Sequence, residues 1–275
     1  MLTALIVIPA FILALLGFWL IQDETLLAIV EVPLVMAIFL GMIFREQLNM
    51  WWYKRYPPVL DPLSKHFLKH SCAYYKQLSA PDQLKFEQRL ALFRMDKQFM
   101  FKEWEELPEE AAIAVCAAAI QITFHLPKYL LSHFGNILLY RNPFVSQDRL
   151  VFHYTEMDTE DGCIVFAGTA SLQGFLNPQQ YFDWGTHQMA LAWQYQTKTP
   201  SQQVFGSHTP EQIRHTLQQV RSTDPVFYNG LLDAELFGAA VEHFFHAPRQ
   251  LQQHAPQYYQ AIAQILAYPA DMDTP

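Results

Sequence analysis

The chain has 275 residues, 51% of them hydrophobic and 15% aromatic, with a formal charge of -8. That length suits one sizeable domain, or a domain plus a membrane segment, and the acidic balance excludes the basic footprint of a nucleic-acid binder. Cys72, Cys116 and Cys163 stand far apart with no CxxC pair, so neither a disulfide framework nor a cysteine zinc site is indicated and they read as reduced, buried thiols.

The first elements are two uncharged or nearly uncharged runs, 2–21 and 26–44, joined by Gln22-Asp23-Glu24-Thr25. Each is long enough, at about 1.5 Å per residue, to cross a hydrocarbon layer of roughly 30 Å. The first lacks the basic start and small-residue cleavage site of a signal peptide, so it is expected to be retained. The short connection makes the pair an antiparallel transmembrane hairpin. Asp23 and Glu24 lie in the loop, whereas Arg45, Lys54 and Arg55 follow the second run. Basic residues stay inside, which predicts a two-pass protein of the cytoplasmic (inner) membrane with everything after the hairpin in the cytoplasm. Trp51, Trp52 and Tyr53 fit an interfacial belt. Glu31, inside the second run, reads as a protonated or interface-near carboxylate rather than an ion site.

Residues 1–56 thus form an anchor and 57–275, beyond Pro57-Pro58, one further domain. A helical pattern runs from Pro81 to Phe101, and another after Leu107-Pro108-Glu109-Glu110, where Ala111 to Phe124 is almost wholly small and apolar and is expected to be the central buried helix. Three short runs then read as strands: Asn136 to Tyr140, Arg149 to Met157, and Cys163 to Gly168, the last two forming a hairpin around Gly162. Helices return with the segment GTHQMALAWQ (Gly185 to Gln194), then over Thr209–Arg221, Asp233–Phe245 and Pro256–Ala267. The fold class is α+β, a small sheet between helical halves.

GTHQMALAWQ carries one histidine on an apolar face. A helical zinc site needs histidines at i and i+4 with a glutamate at i+1 as general base. Here only His187 is present; Gln188, an amide without usable basicity, and Leu191, with no donor atom, occupy the other two places. Taken alone, His187 is a core or surface histidine. Farther along, Glu235 and Glu242 lie two helical turns apart among Leu236, Phe237, Val241, Phe244 and Phe245. They are either partnered carboxylates against a packed surface or solvated glutamates behind a capping Asp233.

AELFGAAVEHFFHAPRQLQQHAPQYYQAI, Ala234 to Ile262, resembles the C-terminal signature of the Mlc titration factor A (MtfA) zinc-peptidase family, approximately AEFFAVxSExFFxxPxxLxxxxPxLY. Tyr74 to Phe101 is similar to that family's opening helix, and LPEEAAIAVCAAAIQITFHL with FGNILLYRNPFV to its buried helix and first strand, so the likeness runs in order over most of 70–267. It implies a zincin-like metallopeptidase domain, related in its core to the catalytic domain of anthrax lethal factor. Position by position, His187 matches the first histidine of the family's HExxH, Glu235 its third zinc ligand and Glu242 a supporting glutamate behind the ligands. Gln188 then stands at the general-base position and Leu191 at the second histidine. The family's edge strand of the type GPVVLSW is expected to be missing between Ala167 and the helix at Gly185, which would also weaken strand-wise peptide binding.

The resulting expectation is a membrane-anchored, MtfA-like pseudopeptidase, with no catalytic residue and no resident cofactor, working by contact with a protein. Family analogy makes a transcriptional regulator the kind of partner. His187 and Glu235 are the remnant metal ligands. The alternative is a working zinc peptidase with an unorthodox site, in which His208, His215, His243 or His246 joins them. A third reading makes the domain a structural cap for the hairpin, in an oligomer formed through Glu31.

Overall fold

The computed structural model describes residues 2–20, 24–146, 150–221 and 230–269; Ile21, Gln22, Asp23 and Arg149, which enter the expectations above, lie outside them. The chain divides into two units, Met1–Pro58 and Val59–Pro275.

In the first unit, α1 (Leu2–Leu20) packs on α2 (Glu24–Ile43), and α3 (Arg45–Arg55) follows. Gly41 near the end of α2 approaches Val7 near the start of α1, a Cβ there falling 3.3 Å from Val7 Cγ2. Early residue meets late residue, so the pair is antiparallel. The Glu31 Oε1 atom has no hydrogen-bond partner among the described residues. Counting only described residues, no helix is long and apolar enough to cross a membrane; spans over 2–21 and 26–44 therefore stand as a reading of the sequence.

The second unit opens with α4 (Pro62–Ser71), α5 (Ala73–Gln77) and α6 (Ala80–Asp96), the first capped by Asp61 and the last by Ser79. The helix expected to reach Phe101 stops at Asp96. Lys97 is extended, and Gln98–Lys102 becomes β1, paired in parallel with β2 (Asn136–Tyr140) in the register Gln98↔Asn136. Phe99 and Phe101 suit a pleated surface, and the neighbouring strand supplies the ladder bonds that override a modest helical preference. Between them α7 (Glu109–Thr123) buries every residue from Ala111 to Thr123, as its small apolar composition predicts, with Glu109 and Glu110 at its positive end.

The sheet has four strands in the order β1-β2-β4-β3. β2 and β4 (Cys163–Ala167) are parallel, and β3 (Thr155–Asp158) pairs antiparallel with β4. The β3–β4 turn holds Gly162 at φ +60, where a Cβ would lie 2.6 Å from the His133 carbonyl oxygen, so glycine is required twice over. The strand expected from Arg149 is shorter than its composition suggests. β4 offers partners only over five residues; upstream of Tyr154 the chain leaves the sheet, His153 bridging to Phe144 while Leu150, Val151 and Phe152 are exposed.

After β4 the chain is helical: α8 (Gly168–Leu176), α9 (Trp184–Thr197), α10 (Gln202–Phe205) and α11 (Pro210–Val220), then a 3-10 turn at Asp233–Glu235, α12 (Leu236–His246), α13 (Pro248–His254) and α14 (Pro256–Ile265). α9 lies at the centre, packed on α7, α8 and α12 and passing β3 and β4. The segment from Gly168 is helix, as the missing GPVVLSW-type strand requires. An edge strand nevertheless flanks α9, because β3 occupies the sheet's end. The expectation that the peptide-pairing edge had gone is thereby corrected.

Candidate functional site

α9 begins where Asp183 caps it. Its carboxylate accepts from the Gly185 and Thr186 main-chain N–H groups at 2.9 and 3.2 Å and from the Thr186 hydroxyl at 2.7 Å. The cap satisfies donors that a helix start otherwise leaves bare. The helix ends at Lys198, in the left-handed region with φ 54. From Gly185 to Trp193 every residue is buried, so its faces must be matched to their neighbours atom by atom.

One face borders a cleft of about 1030 Å³. Gln188, Leu191, Gln194 and Tyr195 of α9 form one wall, Thr155, Glu156 and Met157 of β3 another, and Leu232, Ala234 and Glu235 a third. β3 presents main chain as well as side chains here. The Ala167 N–H donates to the Tyr154 carbonyl, and in the β3–β4 register Tyr154 faces Ala167 two positions beyond Glu156↔Val165. Antiparallel ladders alternate, so Glu156 and Asp158 bond to β4 while the N–H and C=O groups of Thr155 and Met157 point away from it, along the cleft side of the sheet.

The structure brings His187, Gln188, Leu191 and Glu235 into one neighbourhood, but not as ligands around a point. His187 is fully buried behind the cleft. Its Nε2 lies 3.2 Å from the Glu235 main-chain oxygen, to which it donates, and its Nδ1 has no hydrogen-bond partner among the described residues. Burial pushes this imidazole below the ordinary histidine value, against the opposing pull of Glu235, so it is neutral at pH 7. Gly238 makes the packing possible, since a Cβ there would sit 2.8 Å from His187 Cδ2 and 2.7 Å from its carbonyl oxygen. The Glu235 carboxylate turns to the Leu232 N–H at 2.7 Å. A catalytic zinc takes three protein ligands and an open position. Here the histidine's nitrogen faces a carbonyl, the carboxylate caps a turn, and an amide and an isobutyl group line the neighbouring cleft. This arrangement does not fit a zinc ion.

The other histidines do not repair it. His243 is buried against Glu242 at 2.6 Å, His246 holds Asp183 at 3.1 Å, and His208 lies against Tyr258 at 3.0 Å. His215 lines a separate surface hollow with Glu211 and Arg214. Among the described residues, no group of three metal-ligating side chains converges.

Behind the start of α9 lies a knot of charge. Glu242, fully buried, contacts the Arg221 guanidinium and His243, and accepts from the Asp183 N–H at 3.2 Å. Arg221 also donates to the Pro178 and Tyr181 carbonyl oxygens, clamping the approach to α9. Burial alone would raise the Glu242 carboxyl, yet the hydrogen bond and charge of His243, with Arg221 and His246, hold it at about 2. The reading of Glu242 as solvated is thus corrected; a carboxylate this deep needs its partners. Sequence reasoning missed Asp183, Arg221 and His246 as members of this knot, and Thr155 and Met157 as the open edge. Asp183 before a helical run was a readable cap signal; Arg221 and Glu242 are 21 residues apart, and nothing local in the sequence joins them.

Residues 48–194 match the family model described as glucose-regulated metallo-peptidase M90. No curated protein matches the chain. The matched span runs from α3 to Gln194 within α9 and includes His187, Gln188 and Leu191, while Glu235 and Glu242 lie beyond it. Covering more than half of the 275 residues, with the four-stranded sheet and the central α7 and α9 inside or bordering it, the match shows that this chain belongs to the M90 metallopeptidase family, the family of MtfA.

Proposed function

We propose that this family member is a membrane-anchored pseudopeptidase that holds an extended segment of a partner protein in the α9 cleft without cutting it. The observation that carries this reading is the cleft wall itself. Gln188 and Leu191 face the space beside an open β3 edge, so main chain for pairing is present where a base and a second ligand are not. An added strand takes its affinity from main-chain hydrogen bonds and its selectivity from side-chain pockets; Met157, Leu191, Tyr195 and Leu232 supply the latter. The apolar runs 2–21 and 26–44, with Arg45, Lys54 and Arg55 after them, support an inner-membrane hairpin with the domain in the cytoplasm. Confinement to a surface raises the effective concentration of any partner held there. By family analogy the partner is a transcriptional regulator.

The test is the metal content of the full chain, purified in detergent without a polyhistidine tag, by elemental mass spectrometry beside a Glu235→Ala variant, with peptide hydrolysis measured on both. The expected result is no cleavage and no metal that depends on Glu235. Near-stoichiometric zinc that disappears in Glu235→Ala, together with hydrolysis, would overturn the proposal.

A further inference from the structure

The domain's first helix carries a pair of histidines that the cleft does not use. His66 and His70 are four residues apart on α4, so they share one face. Both are exposed, and their rings lie 4.0 Å apart between centroids at an interplanar angle of 32°. We propose that these two imidazoles form a binding site for one late first-row divalent ion, Zn²⁺, Ni²⁺ or Cu²⁺, independent of the α9 cleft.

The tautomer of His70 carries the argument beyond spacing. Its Nδ1 lies 2.8 Å from the His66 carbonyl oxygen. A carbonyl only accepts, so the proton of the neutral ring is on Nδ1 and the lone pair is on Nε2. That is the state of a metal-ligating histidine, whose other ring N–H commonly donates to a carbonyl or carboxylate that fixes the ring's orientation. The two rings border a hollow of about 640 Å³ that Asp61, Glu109 and Glu110 line together with Arg94, and Lys76 donates to the His70 carbonyl oxygen at 2.9 Å. Asp61 is engaged by Ser64 and Glu109 by Arg94, which leaves Glu110 to add its charge to the hollow. This hollow shares no lining residue with the cleft.

Because no third ligating side chain converges among the described residues, the protein supplies two nitrogens and water completes the coordination. The site is therefore one of moderate affinity. Imidazole ligands set its selectivity: Cu²⁺ tighter than Ni²⁺ or Zn²⁺, and Mg²⁺ or Ca²⁺, which require oxygen, not held. Once bound, the ion ties together one turn of the helix that follows Pro57-Pro58.

The experiment is calorimetric titration of the full chain, untagged, in detergent and stripped with chelator, with Zn²⁺, Ni²⁺ and Mg²⁺. One equivalent of Zn²⁺ or Ni²⁺ is expected to bind with a Kd on the order of micromolar, and His66→Ala or His70→Ala to weaken it by at least about tenfold, 1.4 kcal/mol. Both residues are exposed, and an unchanged far-ultraviolet dichroism spectrum confirms the fold. Glu235→Ala is expected to leave the titration unaltered, and Mg²⁺ to give no binding heat. Binding that survives both histidine substitutions, or no saturation below millimolar ion, would overturn the site. Zinc lost in Glu235→Ala but kept in His66→Ala would place the ion in the cleft, overturning this site and the pseudopeptidase reading together. Zinc lost only in the α4 variants sustains both.

Discussion

α9, a helix of fourteen residues, meets different surroundings on its cleft side and behind its first turn. On the cleft side stand an amide and an aliphatic group, Gln188 and Leu191, which present no base and no second nitrogen. Behind the first turn stand Asp183, Arg221, Glu242, His243 and His246, a buried set in which the carboxylates are met by cations or hydrogen-bond donors. The apparatus that orients α9 is fully paired, while the face it orients carries an amide and an aliphatic side chain. An arrangement of charge this costly to bury persists when it holds shape, and the shape it holds is the cleft wall opposite β3. The comparison separates two kinds of constraint that a sequence shows as one, the residues that would act and the residues that place them.

That comparison can be broken most forcefully at Glu242. Glu242→Ala removes the centre of the knot and leaves Arg221 and His243 without their partner, so a loss of about 3–5 kcal/mol is expected in denaturant unfolding; a loss below 1 kcal/mol would mean that the knot does not hold α9. Acid probes the same contact without a mutation. Glu242 falls from its ordinary 4.5 to about 2 on folding. Its contribution is therefore fully present above 4.5 and lost as pH drops through 2, on the order of 3 kcal/mol at about 1.4 kcal/mol per unit. The acid limb of a stability-pH curve should be flattened in Glu242→Gln and unchanged in Gln188→Ala.

A smaller effect is expected at the contact between the two sides. Gly238→Ala drives a methyl group against both the His187 ring and its main-chain oxygen, and overpacking of this kind costs about 1–3 kcal/mol; thermal unfolding reads it, and Gly238→Ala made with His187→Ala should recover only the part due to the ring, because the main-chain oxygen remains 2.7 Å from the added carbon. The smallest effect belongs to the cleft face. Gln188→Ala should alter unfolding by about 1 kcal/mol or less, because Gln188, though only 3% exposed, lines the cleft and its loss strands no buried charge. A cost equal to that of Glu242→Ala would erase the distinction between the two sides.

The sequence made the larger elements legible for definite reasons. α7 announces itself because a run of alanines with few larger apolar residues has no solvated face to spare, and the β3–β4 hairpin because Gly162 separates two short apolar or branched runs. The end of α6 was not legible: Gln98 to Lys102 becomes a strand because β2, 38 residues away, offers a parallel register. At the site, His187, Gln188, Leu191 and Glu235 are brought together in the sequence only by the family resemblance. Their orientations were not legible, since the turn of Glu235 onto Leu232 and of His187 onto a main-chain oxygen depends on a close approach at Gly238 that no spacing encodes. The charge knot was invisible for the same reason, its members being drawn from two separate helical segments and the loop before α9.

The brevity of β3 sets a time as well as a place. With Thr155 and Met157 alone turned outward, a docked segment meets two N–H and two C=O groups, four ladder hydrogen bonds at most. At about 0.5–1.5 kcal/mol net for each, these barely offset the roughly 1–2 kcal/mol per residue spent in straightening a flexible segment. On the proposed reading, dissociation would be fast, and occupancy would follow the local abundance of the partner rather than a stored complex.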